Sequence, residues 1–237
     1  SSSGRCSART RLAANSGMDL YWTLVFLHVI AFAYWLGGDF GVYVTGGYVA
    51  RADLPLAERL RFLDALMKID ILPRTGIVLL PVLGLQIAAM RDAIFLPEWG
   101  KLAVWLGGAA WVAIVWGVFA RRGTPLGERL QRIDVMLRYV VIAALVVIGT
   151  WSLIEAGPVK EKWLAAKFLT YSALLAIGLY LRSVIKAWRV GFIELQRGPS
   201  ESAERLIALG IQRGRRGAWL FWAIIALTAY LGVAKPF

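Results

Sequence analysis

Residues 24–38 read LVFLHVIAFAYWLGG, an uninterrupted apolar run with a single ionisable side chain, His28. With the apolar residues on either side, this run is long enough to cross a bilayer as one helix, which needs about 20 residues. His28 is the only histidine among 237 residues. An ionisable group at membrane depth indicates a functional site by default. The run therefore predicts a membrane-spanning helix with His28 as the first candidate functional residue.

The composition of the whole chain is that of a membrane protein. Hydrophobic residues make up 59% of it and charged residues 18%, whereas soluble domains are about 45–50% apolar and about 25% charged. The net charge of +12 would favour a nucleic-acid partner in a soluble chain. Here the basic residues lie between apolar spans, so we expect a lipid bilayer and no nucleic acid. One Cys and one His exclude a disulfide framework and a zinc site of several Cys or His ligands.

Hydropathy divides the chain into six predicted membrane-spanning helices, so the expected fold is an all-α polytopic bundle. We expect the spans at about residues 20–44, 75–90, 102–120, 139–154, 163–181 and 218–233. Residues 1–17 are expected to be a flexible segment without a role in the fold, and residues 18–237 to form a single domain.

The lysines and arginines predict how the bundle is oriented. Of 27 in the chain, 18 follow odd-numbered spans: five in residues 51–74, five in residues 121–138 and eight in residues 182–216. The positive-inside rule predicts that these three segments lie in the cytoplasm and that both termini lie outside. We therefore expect a multi-pass protein of the bacterial inner membrane.

An internal repeat organises the basic segments. Residues 55–60 read PLAERL and are followed by Asp64, and with an offset of 70 residues 125–130 read PLGERL and are followed by Asp134. A looser third copy joins Pro199 to the ERL of residues 204–206. The pattern predicts three helix-hairpin repeats, each a span, a short cytoplasmic amphipathic helix and a second span. The repeats are expected at about residues 20–90, 99–156 and 163–235.

The repeat makes the three odd spans parallel, which places His28, Lys101 and Lys167 in the outer halves of spans 1, 3 and 5. Lys101 is therefore a candidate partner of His28. An alternative interpretation is that Lys101 and Lys167 anchor their helices at the interface beside Trp99 and Trp163.

One face of the first span is predicted to carry several candidate site residues. Trp35 and Asp39 lie seven and eleven residues after His28, so the three share a helix face. Gly37 and Gly38 leave a flat surface there, which suits either close helix packing or a planar cofactor.

A buried Asp39 needs a partner, because an unpaired carboxylate in a membrane is costly. Arg74 and Arg138, near the entrances of spans 2 and 4, are its candidate partners.

Three short motifs carry a resemblance to a known family. They are LHVI with WLGG in the first span, PRTGIV at residues 73–78 and WGKL at residues 99–102. Over about residues 20–120 they resemble the pattern shared by the copper-resistance D membrane family and the bacterial haem-containing protoporphyrinogen oxidases. The resemblance implies haem b binding by a first-span histidine and a third-span lysine, here His28 and Lys101. The oxidases usually have about four spans and a further histidine in the third, whereas residues 102–108 contain none.

Three classes of function fit these patterns. The first is a redox or haem-handling protein that binds haem b, with His28 as the metal ligand and Lys101, Trp35, Gly37 and Gly38 around the cofactor. The second is a non-catalytic subunit that contacts other membrane subunits or a second copy of the chain. The third is a small-molecule or metal transporter built on the repeats. In each, His28 has the alternative role of a neutral hydrogen-bonding contact between helices. No nucleophile–base set or phosphate loop favours a hydrolase or a kinase, and whether the protein is an enzyme stays open.

Overall fold

The computed structural model describes residues 2–237, with the side chains of residues 18–186 and 188–237. The expectation that residues 1–17 are flexible falls outside the described side chains. The chain forms seven helices: α1 Ser2–Val49, α2 Leu56–Ile69, α3 Ile71–Met90, α4 Glu98–Ala120, α5 Pro125–Ile154, α6 Lys162–Leu195 and α7 Glu201–Ala234. Within this described part, the one β-type pairing outside strands is an isolated bridge between Ile94 and Val159.

Six helical segments of the described chain are long and apolar enough to span a membrane: Met18–Val49, Leu56–Met90, Glu98–Ala120, Pro125–Ile154, Lys162–Leu195 and Glu201–Ala234. The prediction of an all-α bundle with six spans is thus confirmed. Many apolar side chains on the outer surface are exposed, among them Phe26, Leu106 and Val147, as expected of a protein whose outer surface faces lipid.

The spanning helices form a closed ring around a shared core. Each helix packs on the next in the order α1, α3, α4, α5, α6, α7, and α7 returns to α1. An aromatic group lies at the centre, where Trp35 makes edge-to-face contacts with Tyr171 and Phe221, with ring centroids 6.3 and 5.8 Å apart. Such pairs stabilise a core beyond the area that they bury.

The two ends of the bundle differ in charge. One end carries the end of α1, the helix α2 and the turns that join α4 to α5 and α6 to α7; we call it the basic face. It holds the three arginine-rich segments that the sequence predicted to be cytoplasmic. The opposite face carries the loops between α3 and α4 and between α5 and α6, which the Ile94–Val159 bridge joins.

The first repeat copy folds differently from the other two at the basic face. Only the first copy forms a separate surface helix, α2; the second and third are the first turns of the long helices α5 and α7. Pro73 explains the difference, because its ring lacks an N–H group and clashes with the carbonyl four residues earlier. In the second copy, 70 residues later, the corresponding residue is Ala143, and the helix is continuous.

The helix α5 starts much earlier than the predicted span, which began at residue 139. Pro125 occupies its first turn, and the Thr124 hydroxyl caps the helix by accepting a hydrogen bond from the Gly127 N–H at 3.2 Å. A capping threonine followed by proline is a favourable helix start. As a result Asp134 and Arg138, predicted to lie in a cytoplasmic segment, are buried inside the bundle.

Candidate functional site

A cavity of about 590 Å³ lies at the basic face between α2, α3, α4, α5 and α6. This volume is in the range of small-molecule sites. Five cationic side chains and two carboxylates line it: Arg74, Arg122, Arg182, Lys186 and Arg189, with Glu128 and Asp134. We call it the cationic cavity.

Asp134 organises the inner wall of the cationic cavity. Its carboxylate accepts a hydrogen bond from the Trp111 Nε1–H at 2.8 Å. It also pairs with Arg182 (Nη1 to Oδ2, 2.6 Å) and with Arg138 (Nε to Oδ2, 3.3 Å). Both Asp134 and Arg138 are buried, with 3% of each side chain exposed. Buried charges need such partners, because an unpaired ion in a membrane interior is strongly unfavourable.

The cluster around Asp134 has more donors than acceptors. Two guanidinium groups share its one carboxylate, and the buried Nη2 of Arg138 has no hydrogen-bond partner among the described residues. The Arg138 guanidinium lies over the Trp111 ring, 5.7 Å from its centroid, a contact that partly stabilises the cation. The excess of positive charge and N–H groups favours an anion nearby.

Two further arginines, Arg74 and Arg122, line the cavity. Arg74 is held by Asp70, with its Nη2 2.5 Å from the carboxylate. Arg122 lies at the rim, where it donates a hydrogen bond to the Met67 carbonyl at 2.9 Å. Burial, and after it the charge of Arg74, lowers the pKa of the Arg122 guanidinium. A lowered pKa for an arginine means that the cationic form is disfavoured there.

The remaining walls of the cavity are apolar. On one side α2 contributes Leu60, Leu63 and Met67, and α4 contributes Val115 and Phe119. Trp188 and Phe192 of α6 line it as well. The cavity therefore offers one polar cationic region and one apolar region to the same ligand.

His28, the first sequence candidate, does not line this cavity. It lies at the level of Gly84 of α3, ten residues, or about 15 Å of helix, beyond Arg74, which lines the cavity. Its imidazole packs against Gly84 of α3, where a Cβ atom would be 3.3 Å from Cε1. Its Nδ1 atom is buried and has no hydrogen-bond partner within the part of the chain that the structure describes. The predicted role of His28 stays a prediction.

The structure does not bring Lys101 to His28. Gly84, which contacts His28, and Gln86, which donates a hydrogen bond to the Lys101 carbonyl at 2.9 Å, are two residues apart on α3 and so face opposite ways. The helix α3 thus lies between α1 and α4. The Lys101 ammonium pairs with Glu98 at 2.6 Å, as an interface anchor would.

Lys167 packs against the last helix. Its ammonium lies against Gly232 of α7, where a Cβ atom would be 2.7 Å from Nζ. The predicted pairing of Lys167 with His28 stays a prediction.

Two other residues of the first-span face serve packing. Trp35 is buried in the aromatic centre. A Cβ atom on Gly38 would lie 2.7 Å from Cδ of Pro73, so this glycine permits close contact of α1 with α3. Gly37 is exposed, and a Cβ atom there would meet no described atom within 4 Å. The packing interpretation is therefore favoured for Gly38 and not for Gly37.

The predicted partner of Asp39 is wrong. Its carboxylate accepts a hydrogen bond from the Trp222 Nε1–H at 2.7 Å, whereas Arg74 pairs with Asp70 and Arg138 with Asp134. The order of helices in the ring separates Arg138 from Asp39, because α7, which carries Trp222, is a neighbour of α1 and α5, which carries Arg138, is not. Arg74 lies on the neighbouring helix α3 but is held by Asp70 four residues earlier.

The sequence names Arg74 and Arg138 as candidates but does not identify the other residues that build the cationic cavity. It predicts Arg182, Lys186 and Arg189 in a cytoplasmic segment, because charges end the predicted span at residue 181. The indication that could have revealed them is the i, i+4 pair of Asp134 and Arg138, which suits a helix. The helical pattern of this pair continues without a break into the apolar residues 139–154.

The fold and this site define a multi-pass integral membrane protein with a cationic cavity at one end of its helical bundle. Comparisons with models of protein families, with curated proteins and with solved structures found no match to this chain. Among the described residues, no group of three or more His, Cys, Asp or Glu side chains is arranged to hold a metal ion.

Proposed function

We propose that this protein binds a small organic anion in the cationic cavity, as the substrate site of a membrane carrier. The observation that carries the proposal is the imbalance of charge around the cavity, five cations against two carboxylates. In a partly dehydrated site an anion interacts strongly with such a group of cations. The three-repeat architecture and a proline inside α3, Pro81, are features of secondary transporters and support this class.

Binding is tested by thermal unfolding of the detergent-purified full chain. The probes are inorganic phosphate, hexyl phosphate and hexanoate, each compared with chloride at equal ionic strength. A ligand that binds only the folded state at a hundred times its Kd stabilises it by about 2.7 kcal/mol. We expect at least one organic anion to raise the unfolding temperature.

Two double variants locate the effect. Lys186→Gln with Arg189→Gln removes two charges from the cavity wall, and Arg129→Gln with Arg132→Gln removes two exposed charges of α5 that do not line it. The first is expected to abolish the stabilisation and the second to retain it. Equal behaviour of the two variants, or no response to any probe, contradicts the proposal. Uptake of labelled probe into proteoliposomes then distinguishes a carrier from a binding protein.

The second candidate is haem b binding at His28, which the buried Nδ1 without a partner favours. The fit is partial. Of the predicted set only His28 offers a free ligand atom, because Lys101 is paired with Glu98 and lies across α3. Haem bound there would supply one-electron chemistry. The resemblance of residues 20–120 to haem-containing membrane proteins supports the same candidate.

Visible absorption spectra of the purified protein, oxidised and reduced, test this candidate. A Soret band that is present in the parent and lost in His28→Ala supports it. Lys101→Ala is the matched control, and it is expected to keep the band because Lys101 does not reach His28. Absence of the band and of stoichiometric iron contradicts it.

A further inference from the structure

One wall of the cationic cavity is charged and the other is apolar, and this difference restricts the ligands that fit. Arg74 of α3 and Arg182, Lys186 and Arg189 of α6 lie on one side, while α2 and α4 present Leu60, Leu63 and Phe119. An inorganic anion would bind the cations of the first side and leave the apolar second side in contact with water. Because burial of apolar surface is favourable in proportion to its area, the ligand that fits best joins an anionic head to an apolar chain.

The position of the cavity agrees with a ligand that comes from the membrane. It opens at the basic face, where three arginine-rich segments meet the ends of the spanning helices. Basic pockets between spanning helices on such a face recognise the head groups of anionic lipids.

The helix α2 is fixed on one side of the cavity and weakly held on the other. On the α1 and α7 side, the buried Arg59 donates to the Val49 carbonyl at 3.0 Å and pairs with Glu204 at 2.5 Å. Towards the turn between α4 and α5, the described contact is the single hydrogen bond from Arg122 to the Met67 carbonyl. The rim between Met67 and Arg122 is therefore the side on which an apolar chain can enter.

We propose that the ligand of the cationic cavity is a membrane lipid with a phosphomonoester head. The head would lie against Arg182, Lys186 and Arg189 of α6, and the acyl chain would lie along α2 and leave over the Met67 rim. A phosphomonoester carries close to two negative charges at neutral pH and matches the surplus of cations better than a zwitterionic head. This inference rests on the proposed function and names its ligand class.

The test uses the full chain in detergent and native mass spectrometry. Phosphatidic acid, phosphatidylcholine and inorganic phosphate are added in turn to the parent protein and to both double variants. We expect the parent to retain one phosphatidic acid. Lys186→Gln with Arg189→Gln is expected to reduce its affinity at least about tenfold, because both substitutions remove a cation that would bind the head. Arg129→Gln with Arg132→Gln is expected to keep it. Unfolding temperatures without ligand confirm that both variants fold.

The outcomes separate this inference from the proposed function. Equal retention of phosphatidylcholine overturns the inference, because the charge of the head is then not recognised. Stabilisation by hexyl phosphate or hexanoate without retention of phosphatidic acid also overturns it, and leaves the proposed function standing. If no anion binds and the two variants behave alike, both fail.

Discussion

At the scale of single residues, Asp64 and Asp134 show that the same i, i+4 ion pair can be exposed or buried, depending on its position in the fold. They are equivalent in the repeat, 70 residues apart, and each pairs with a cation four residues later, Lys68 or Arg138. Asp64 lies on α2, outside the ring, with 62% of its side chain exposed, whereas 3% of Asp134 is exposed. The same i, i+4 pair is a solvated surface contact in one copy and the centre of a buried ionic cluster in the other.

Replacement of Asp134 by asparagine tests this difference. The change leaves Arg138 and Arg182 buried without their carboxylate, and breaking a buried pair destabilises a protein by about 3–5 kcal/mol. Asp64→Asn, the matched control, removes an exposed pair that contributes about 0–1 kcal/mol. The measurement is chemical unfolding of both variants in the same detergent. Similar small effects would mean that the cluster around Asp134 is accessible to solvent.

At the scale of helices, the contact between α1 and α3 depends on which glycines face inward. A Cβ atom on Gly76 would lie 2.7 Å from Cβ of Trp35 and 3.2 Å from the Ala31 carbonyl oxygen. Both are close to the backbone of α1 and cannot rotate away. Gly37 of α1 has nothing within 4 Å among the described atoms. The two glycines therefore differ in role although both lie in apolar helices.

Alanine substitutions distinguish the two positions. Gly76→Ala forces α1 and α3 apart, and overpacking of this kind destabilises by about 1–3 kcal/mol. Gly37→Ala is expected to be neutral or to stabilise by up to about 1 kcal/mol, because alanine is the better helix former. Unfolding free energies of the two variants provide the measurement. A destabilised Gly37→Ala variant would indicate that this face has a partner, as a cofactor or a second copy of the chain would provide.

The sequence predicted the number of spans but not the helices that build the cationic cavity. Spans such as residues 102–120 are recognisable because their hydropathy is a local property. Asp134 and Arg182 were placed outside the spans because a charge is compatible with a membrane interior only when it is paired, and these two are 48 residues apart. Likewise, parallel odd spans predicted a common depth for His28 and Lys101. Their separation by α3 depends on the order of helices in the ring.

At the scale of the whole molecule, the basic residues and the cavity lie at the same end of the bundle. The 18 basic residues that follow odd spans belong to the half of the bundle that holds the cationic cavity. The same half contains α2 and the ion pair of Arg59 with Glu204. A single orientation therefore decides from which side of the membrane a ligand reaches the cavity. The positive-inside rule predicts the cytoplasmic side.

Labelling of introduced cysteines measures this orientation. In a chain with Cys6→Ser, Asp53→Cys places a thiol in the loop after α1, and Asp92→Cys places one in the loop after α3. Both side chains are largely exposed, 64% and 82%, so each is accessible to the reagent unless the membrane shields it. A maleimide that cannot cross membranes is expected to label Asp92→Cys in intact spheroplasts, and Asp53→Cys only after lysis. The reverse pattern would place the cationic cavity on the outer side, where the ligand would come from outside the cell.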